Sequence, residues 1–144
     1  MNIQKLLQLD FLPRCTSCGL LVLRLWLGLS LLLLHGWGKI SNFAEMSGQF
    51  PDPIGLGGGI SLGLAAFAEV VCAFLVVVGA FTRAAAAVLV IQMGVAFFVV
   101  HQSALSGPSS GELAFIYLGG FVALLIAGGG RFSLDAKLGV NKGF

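Results

Sequence analysis

Apolar residues fill four long and nearly uninterrupted stretches of the chain, which short polar segments separate. The stretches are 19–37, 58–79, 84–101 and 112–128. A helix needs about 20 residues to cross the hydrocarbon core of a bilayer, with about 17 as the lower limit, so each stretch can span a membrane. Residues 31–34 and 84–90 are consecutively apolar, whereas the strands of a membrane β-barrel alternate apolar and polar residues. We therefore predict an all-α membrane four-helix bundle, with 1–144 as a single transmembrane domain.

The composition agrees with lipid as the main solvent of this chain. Hydrophobic residues make up 58% and charged residues 10% of the sequence, whereas a soluble domain carries about 25% charged residues. The lipid bilayer is therefore the first predicted partner, and a soluble globule is excluded. Eight basic and six acidic residues give a net charge of only +2, scattered along the chain, so no nucleic-acid partner is predicted.

The basic residues predict an orientation in the membrane. By the positive-inside rule, the side with more Lys and Arg in its short connections faces the cytoplasm. One side of the predicted bundle carries six such residues and the other carries Lys39 alone, so both termini are predicted to be cytoplasmic. We also expect an interfacial helix over 1–12 and a cytoplasmic tail over 131–144. The six residues are Lys5, Arg14, Arg83, Arg131, Lys137 and Lys142.

Ionisable residues inside membrane spans are costly and are therefore candidates for function. In the first span, Arg24, Gly28, His35 and Lys39 fall on one stripe at about 100° per residue, and this stripe should face the bundle interior. In the second span, Glu69 shares a face with small residues and needs a cation or a hydrogen-bond donor as its partner. Ser30 lies off the stripe and can bond back to its own helix, so no role is assigned to it.

Depth along the helices brings several polar groups towards one outward-opening pocket. At roughly 1.5 Å per residue, His35, His101 and Glu112 lie near the outer ends of their spans, and Lys39 lies at the rim. Glu69 and Gln92 lie deeper, with Tyr117 among the aromatic residues for the walls. A purely structural role, in which these groups hold four helices together, stays open. A metal site from His35, His101 and Glu112 is not favoured, because no HxxxH or ExxH spacing supports it.

The first two of the three cysteines form the CxxC of Cys15 and Cys18. This spacing is typical of dithiol redox centres. On the predicted topology the pair lies at the cytoplasmic interface, where thiols stay reduced, so a structural disulfide is not expected. A dithiol relay and lipidation of a juxtamembrane thiol both stay open. Cys72, within the second span, is expected to be a small core residue.

The order of several short motifs resembles the DoxX family of small four-helix membrane proteins. The similarity extends from Leu23 to Leu138, and each motif is weak when taken alone. The motifs are Arg24 early in the first helix, Gly36-Trp37-Gly38-Lys39 at its outer end, Glu69, Gly79-Ala80-Phe81-Thr82-Arg83 at a tight turn, Met93, and Gly128-Gly129-Gly130-Arg131-Phe132-Ser133-Leu134-Asp135.

The resemblance implies membrane redox chemistry, because relatives include the small subunit of a quinone-reducing thiosulfate oxidoreductase and partners of oxidative-stress and sulfur-transfer enzymes. We therefore expect an accessory subunit of a quinone-linked oxidoreductase in the bacterial plasma membrane, with redox proteins as partners. Glu69, His35 and Glu112 are the candidate catalytic groups. A small transporter or a scaffold is the alternative, and a transporter with four spans would have to be a homodimer. The candidate ligand-binding residues are Arg24, Lys39, His101, Gln92 and Tyr117, with Cys15 and Cys18 as redox thiols.

Overall fold

The computed structural model describes residues 13–139, residue 3 and residues 7–9. Every regular element in this part of the chain is helical, which confirms the predicted fold class. Three helices are long and apolar enough to span a membrane, and a fourth apolar helix, Glu112–Ala127, is shorter. The interfacial helix predicted over 1–12 falls largely outside the described residues. The helices are α1 (Thr16–Ser41), α2 (Phe43–Met46), α3 (Gly58–Val78), α4 (Thr82–Val100), α5 (Glu112–Ala127) and α6 (Leu134–Lys137).

The four long helices form a bundle in which each packs against its neighbours along the chain. Helix α1 packs along α3, α3 along α4 and α4 along α5, while α5 closes the ring against α1. The core between them is built from buried aliphatic and aromatic side chains such as Leu31, Leu89 and Phe121. Large apolar side chains also cover the outside, including Trp26, which is 75% exposed. This outer surface suits contact with lipid rather than water, and the protein is an integral membrane protein.

Small residues let α1 approach α3 closely. A Cβ atom added at Gly28 would lie 2.6 Å from Val77 Cγ2 and 3.1 Å from the backbone oxygen of Ala73. Glycine therefore allows close backbone contact, as is common between membrane helices. Gly28 belongs to the stripe predicted to face the bundle interior, and this prediction is confirmed for it.

Both ends of the described chain meet at one end of the bundle, which we call the termini end. The backbone N–H of Arg131 donates to Ser17 Oγ at 3.3 Å, so the exit from α5 lies beside the start of α1. The tight turn between α3 and α4 lies at the same end, with Gly79 at φ +74° and Phe81 at φ +48°. The membrane side that this end faces stays a prediction from the basic residues.

A loop at the opposite end folds back onto the start of α3 through Asp52. Its carboxylate accepts hydrogen bonds from the backbone N–H groups of Leu56 and Gly57, at 2.9 and 2.8 Å, and from Ser61 Oγ at 2.9 Å. The bond from Gly57 is the main reason why the pKa of Asp52 is lowered. These bonds satisfy donors at the N-terminus of α3, where Gly57 has no side chain to act as a cap.

Candidate functional site

A buried ion pair joins α1 to α3 within the apolar bundle. Lys39 Nζ donates to Glu69 Oε2 at 2.5 Å, and Glu69 is only 5% exposed. The Lys39 side chain is 16% exposed, so it connects the buried carboxylate with the rim of the bundle. This confirms the prediction that Glu69 meets a cation. The partner is Lys39 rather than Arg24, the other cation of the stripe.

The pair forms where π-helical segments of α1 and α3 meet. The segments are Leu32–Gly36, which precedes Lys39, and Phe67–Cys72, which contains Glu69. A Cβ atom at Gly36 would lie 2.7 Å from the backbone oxygen of Glu69, so only glycine permits this approach. π-Helical turns are rare and are frequent at functional sites. A π-helical turn widens the helix locally, so it changes the face on which the following side chains lie.

His35 and Tyr117 form a second polar cluster between α1 and α5. Their rings pack edge to face with centroids 6.0 Å apart. Tyr117 OH donates to Ser30 Oγ at 2.8 Å, while Ser30 Oγ donates to the backbone oxygen of Trp26 at 2.6 Å. The back-bond of Ser30 was predicted, but its role as acceptor for Tyr117 was missed. A serine five positions before His35 was the only available signal in the sequence.

The other predicted pocket residues do not join the ion pair. His101 Nδ1 lies 2.9 Å from the backbone oxygen of Ser109, a contact that holds the loop between α4 and α5. Glu112 is exposed at the start of α5, and Gln92 is half-buried on α4. Within residues 13–139, no hydrogen bond connects these three side chains to Lys39 or Glu69. The ion pair therefore contains two members of the predicted set, Lys39 and Glu69, and none of these three.

Arg24 lies at the termini end, in a different cluster from the ion pair. It is 1% exposed, and its Nη2 donates to the backbone oxygen of Phe132 at 2.9 Å. Its Nη1 packs so tightly on Gly79 that a Cβ there would lie within 1.9 Å of it. The expectation that Arg24 faces inward is confirmed. Its contacts are those of a residue that fastens the chain after α5 to the end of α3.

Asp135 completes the cluster at the termini end. Its carboxylate accepts hydrogen bonds from Phe81 N at 2.7 Å, Thr82 N at 2.9 Å and Thr82 Oγ1 at 2.7 Å. It thereby caps α4 from a distant part of the chain, while Ser133 caps α6 through Ala136 N. The long-range contact of Asp135 was missed, because a cap is normally sought within the same helix.

Cys15 and Cys18 are joined by a disulfide, so the expectation that these thiols are reduced is wrong for this structure. The physical reason is local. Cys15 is the N-cap of α1, and the first helical turn brings the Cα atoms within 5.2 Å, inside the range that a disulfide spans. Cys72 is buried as a free thiol, as expected.

A cavity of about 490 Å³ lies beside this disulfide at the termini end. Two arginines and the first residues of α1 line it, so its wall combines positive charge with hydroxyl groups. Among the residues that the structure describes, no three His, Cys, Asp or Glu side chains are placed to hold a metal ion. The lining residues are Arg14, Cys15, Thr16, Ser17, Arg131 and Phe132.

Comparison with known proteins places the chain in a family. The family model for DoxX matches residues 19–102, which is more than half of the sequence. Two Haemophilus influenzae relatives each carry the description "Uncharacterized protein". One is 31% identical over 114 residues, 73% of this chain and 80% of its own, and the other is 32% identical over 128 residues, 85% of each. No solved structure matches significantly. The chain belongs to the DoxX family of small membrane proteins.

Proposed function

We propose that the protein is an accessory subunit of a quinone-linked redox system in the bacterial plasma membrane, and that a quinone ring binds beside Lys39 and Glu69. The observation that supports this best is the ion pair itself. Removing a lysine and a glutamate from water inside an apolar bundle costs several kcal/mol per ion before the pair forms, by general estimates. Such residues in membrane spans are by default candidates for function.

The chemistry of the pair fits a quinone. A bound quinone would supply a two-electron, two-proton acceptor, and its carbonyl oxygens need donors as they gain charge. The Lys39 ammonium has three N–H donors, and its bond to Glu69 uses one of them. Glu69 provides a carboxylate that can carry a proton between the rim and the interior. In this proposal Lys39 orients the carbonyl, and Glu69 exchanges the proton.

The proposal narrows the set of residues suggested by the sequence. His35 and Tyr117 remain as neighbouring aromatic and polar groups, because both lie on the faces of α1 and α5 that meet. Arg24 is left out, because its Nη2 is committed to Phe132 at the termini end. His101 is left out because it holds a loop, and Glu112 because it is exposed. Redox partner proteins would supply the electrons.

A scaffold without its own chemistry is the second candidate. It is favoured by the position of the ion pair, which joins α1 and α3 directly, as a purely structural contact would. The cavity of about 490 Å³ lies at the termini end, lined by none of the residues of the pair. In a scaffold, Lys39 and Glu69 would only fix the register of the two helices.

Extraction of bound lipids tests the two candidates. The purified protein, Lys39→Gln, Glu69→Gln and the control Arg83→Gln would be extracted with solvent, and isoprenoid quinones would be measured by mass spectrometry. Arg83 is exposed at the termini end, so its variant loses a positive charge away from the pair. We expect quinone with the native protein and the control, and a loss of about tenfold in the Lys39 variant, the size of a lost charged hydrogen bond.

A water-soluble short-chain quinone, titrated against the native protein, covers the case in which detergent removes the natural ligand. The redox proposal would be contradicted if the native protein contained no quinone and also failed to bind the short-chain quinone. The scaffold function would then be the remaining candidate. Size-exclusion profiles identify any variant that fails to fold. Glu69→Gln keeps the shape of the side chain, so a folded Glu69→Gln protein that still binds quinone would restrict Glu69 to proton transfer.

A further inference from the structure

We propose that the Cys15–Cys18 disulfide is a redox-active site that undergoes thiol–disulfide exchange with small anionic thiols. The site lies at the termini end, away from Lys39 and Glu69, and does not depend on the proposed function. Three observations support it: both cysteines are exposed, the disulfide lies at the start of a long helix, and it borders a cavity that two arginines line.

The helix start favours a thiolate at Cys15. Cys15 is the N-cap of α1, and its Sγ accepts a hydrogen bond from the backbone N–H of Cys18 at 3.2 Å. The first N–H groups of a helix have no partner within the helix and carry partial positive charge. Cysteines in CxxC motifs and at helix N-termini are stabilised as thiolates for this reason. Cys15 is therefore the better leaving group when the disulfide opens.

The cavity indicates the class of thiol. Its volume of about 490 Å³ falls within the range of roughly 300–1,000 Å³ for small-molecule sites, so a thiol of tripeptide size fits. Arg14 and Arg131 line it together with the first residues of α1. Guanidinium groups bind carboxylates through paired hydrogen bonds. A thiol that carries carboxylates is therefore favoured over a neutral thiol.

A purely structural role would gain little from this disulfide. Its cysteines are three positions apart, and the stabilisation from a disulfide increases with the length of the loop that it closes. On the topology predicted from the basic residues, the site faces the cytoplasm. Disulfides in that compartment are usually transient and serve catalysis or redox sensing. Burial does not protect this one, because both cysteines are exposed.

The exchange balances with two thiols as the reductant. The thiolate of the first thiol attacks Cys18 Sγ, the Cys15–Cys18 bond breaks, and Cys15 leaves as a thiolate. The second thiolate attacks the sulfur of the bound thiol, and Cys18 leaves and takes up a proton. Two electrons pass from the thiols to the cysteines, and the thiols are released as their own disulfide. An excess of that small disulfide drives the reverse reaction.

Reduction kinetics of the full-length protein test this proposal. A Cys72→Ala background leaves Cys15 and Cys18 as the remaining cysteines of the three in the chain. Glutathione, a tripeptide thiol with two carboxylates, is compared with neutral 2-mercaptoethanol, and maleimide labelling with mass analysis counts the thiols released. We expect millimolar glutathione to reduce the disulfide within minutes and excess glutathione disulfide to restore it.

Charge selectivity is tested by comparing Arg131→Gln with Arg83→Gln, since both remove one positive charge from the termini end. Arg131→Gln should lower the ratio of glutathione to 2-mercaptoethanol rates about two- to fivefold, as for one exposed ion pair. Arg83→Gln should leave the ratio unchanged. A disulfide that resists glutathione for hours, cysteines that stay as thiols in oxidising buffer, or a ratio insensitive to Arg131→Gln would each overturn the proposal.

Discussion

The Lys39–Glu69 pair allows a sharp test of the energetics of the bundle. Replacing Lys39 with Met leaves the carboxylate of Glu69, a residue that is 5% exposed, without its cation. Removing one partner of a buried ion pair costs about 3–5 kcal/mol, because the remaining charge is uncompensated. The close approach of the two backbones at Gly36 keeps Glu69 at the contact between α1 and α3. We expect Lys39→Met to destabilise the protein by that amount.

Glu69→Leu should cost less, because the remaining lysine can reach water. The Lys39 side chain is 16% exposed near the end of α1, and a long side chain at that position can extend its ammonium to the interface. We expect a cost of about 1–2 kcal/mol, close to that of one charged hydrogen bond. The double variant lacks both charges and should lie within about 1 kcal/mol of the native protein. The coupling between the two sites is then about 3 kcal/mol or more, the upper end for residue pairs.

Unfolding in mixed micelles, titrated with SDS and followed by helical circular dichroism, would give these free energies. Glu112→Leu serves as the control, because Glu112 is exposed at the same end of the bundle and should change stability by less than about 0.5 kcal/mol. If the two single changes simply add in the double variant, or if Lys39→Met costs no more than the control, the ion pair does not stabilise the contact between α1 and α3.

Three further predictions concern the turns, the loop and the topology. Gly79→Ala should destabilise the protein by more than about 1 kcal/mol in the same titration, because Gly79 has φ +74° and an added Cβ would meet the buried guanidinium of Arg24. Gly94 has open space around it, so the control Gly94→Ala should be neutral or stabilising. The pKa of Asp52 is lowered in the folded state, so its stabilising contribution is present above the unfolded pKa and is lost as pH falls through the folded one. The protection of the loop amides, measured relative to the intrinsic exchange rate at each pH, should therefore fall at acidic pH in the native protein, and Asp52→Asn should remove that dependence. If both termini are cytoplasmic, cysteines introduced at Ser47 and Ser106 should react with an impermeant maleimide from outside; protection of both would refute the orientation.

The four helices, and the polar stripe of α1 that faces the bundle interior, could be predicted because the bilayer limits the structures that a chain can adopt. Backbone groups in lipid must be satisfied internally, so a long apolar stretch without alternation has to form a helix. Charges in lipid must face the interior or a partner, which made Arg24 and Glu69 recognisable from their positions alone. The sequence also predicted a tight turn, since the four residues between the spans 58–79 and 84–101 leave room only for antiparallel neighbours. The structure places this turn at residues 79–81, and Thr82 and Arg83 begin α4.

The tertiary structure decided which polar groups meet. Helical periodicity assumes 3.6 residues per turn, but the π-helical segments in α1 and α3 change the faces that follow them. The choice of Lys39 as the partner of Glu69 depends on this local geometry and on the close approach at Gly36. Asp135 caps α4 across 53 positions of sequence, a contact that only the packed chain creates. The sequence therefore determined which residues must avoid lipid, whereas the stagger and rotation of the packed helices decided their partners.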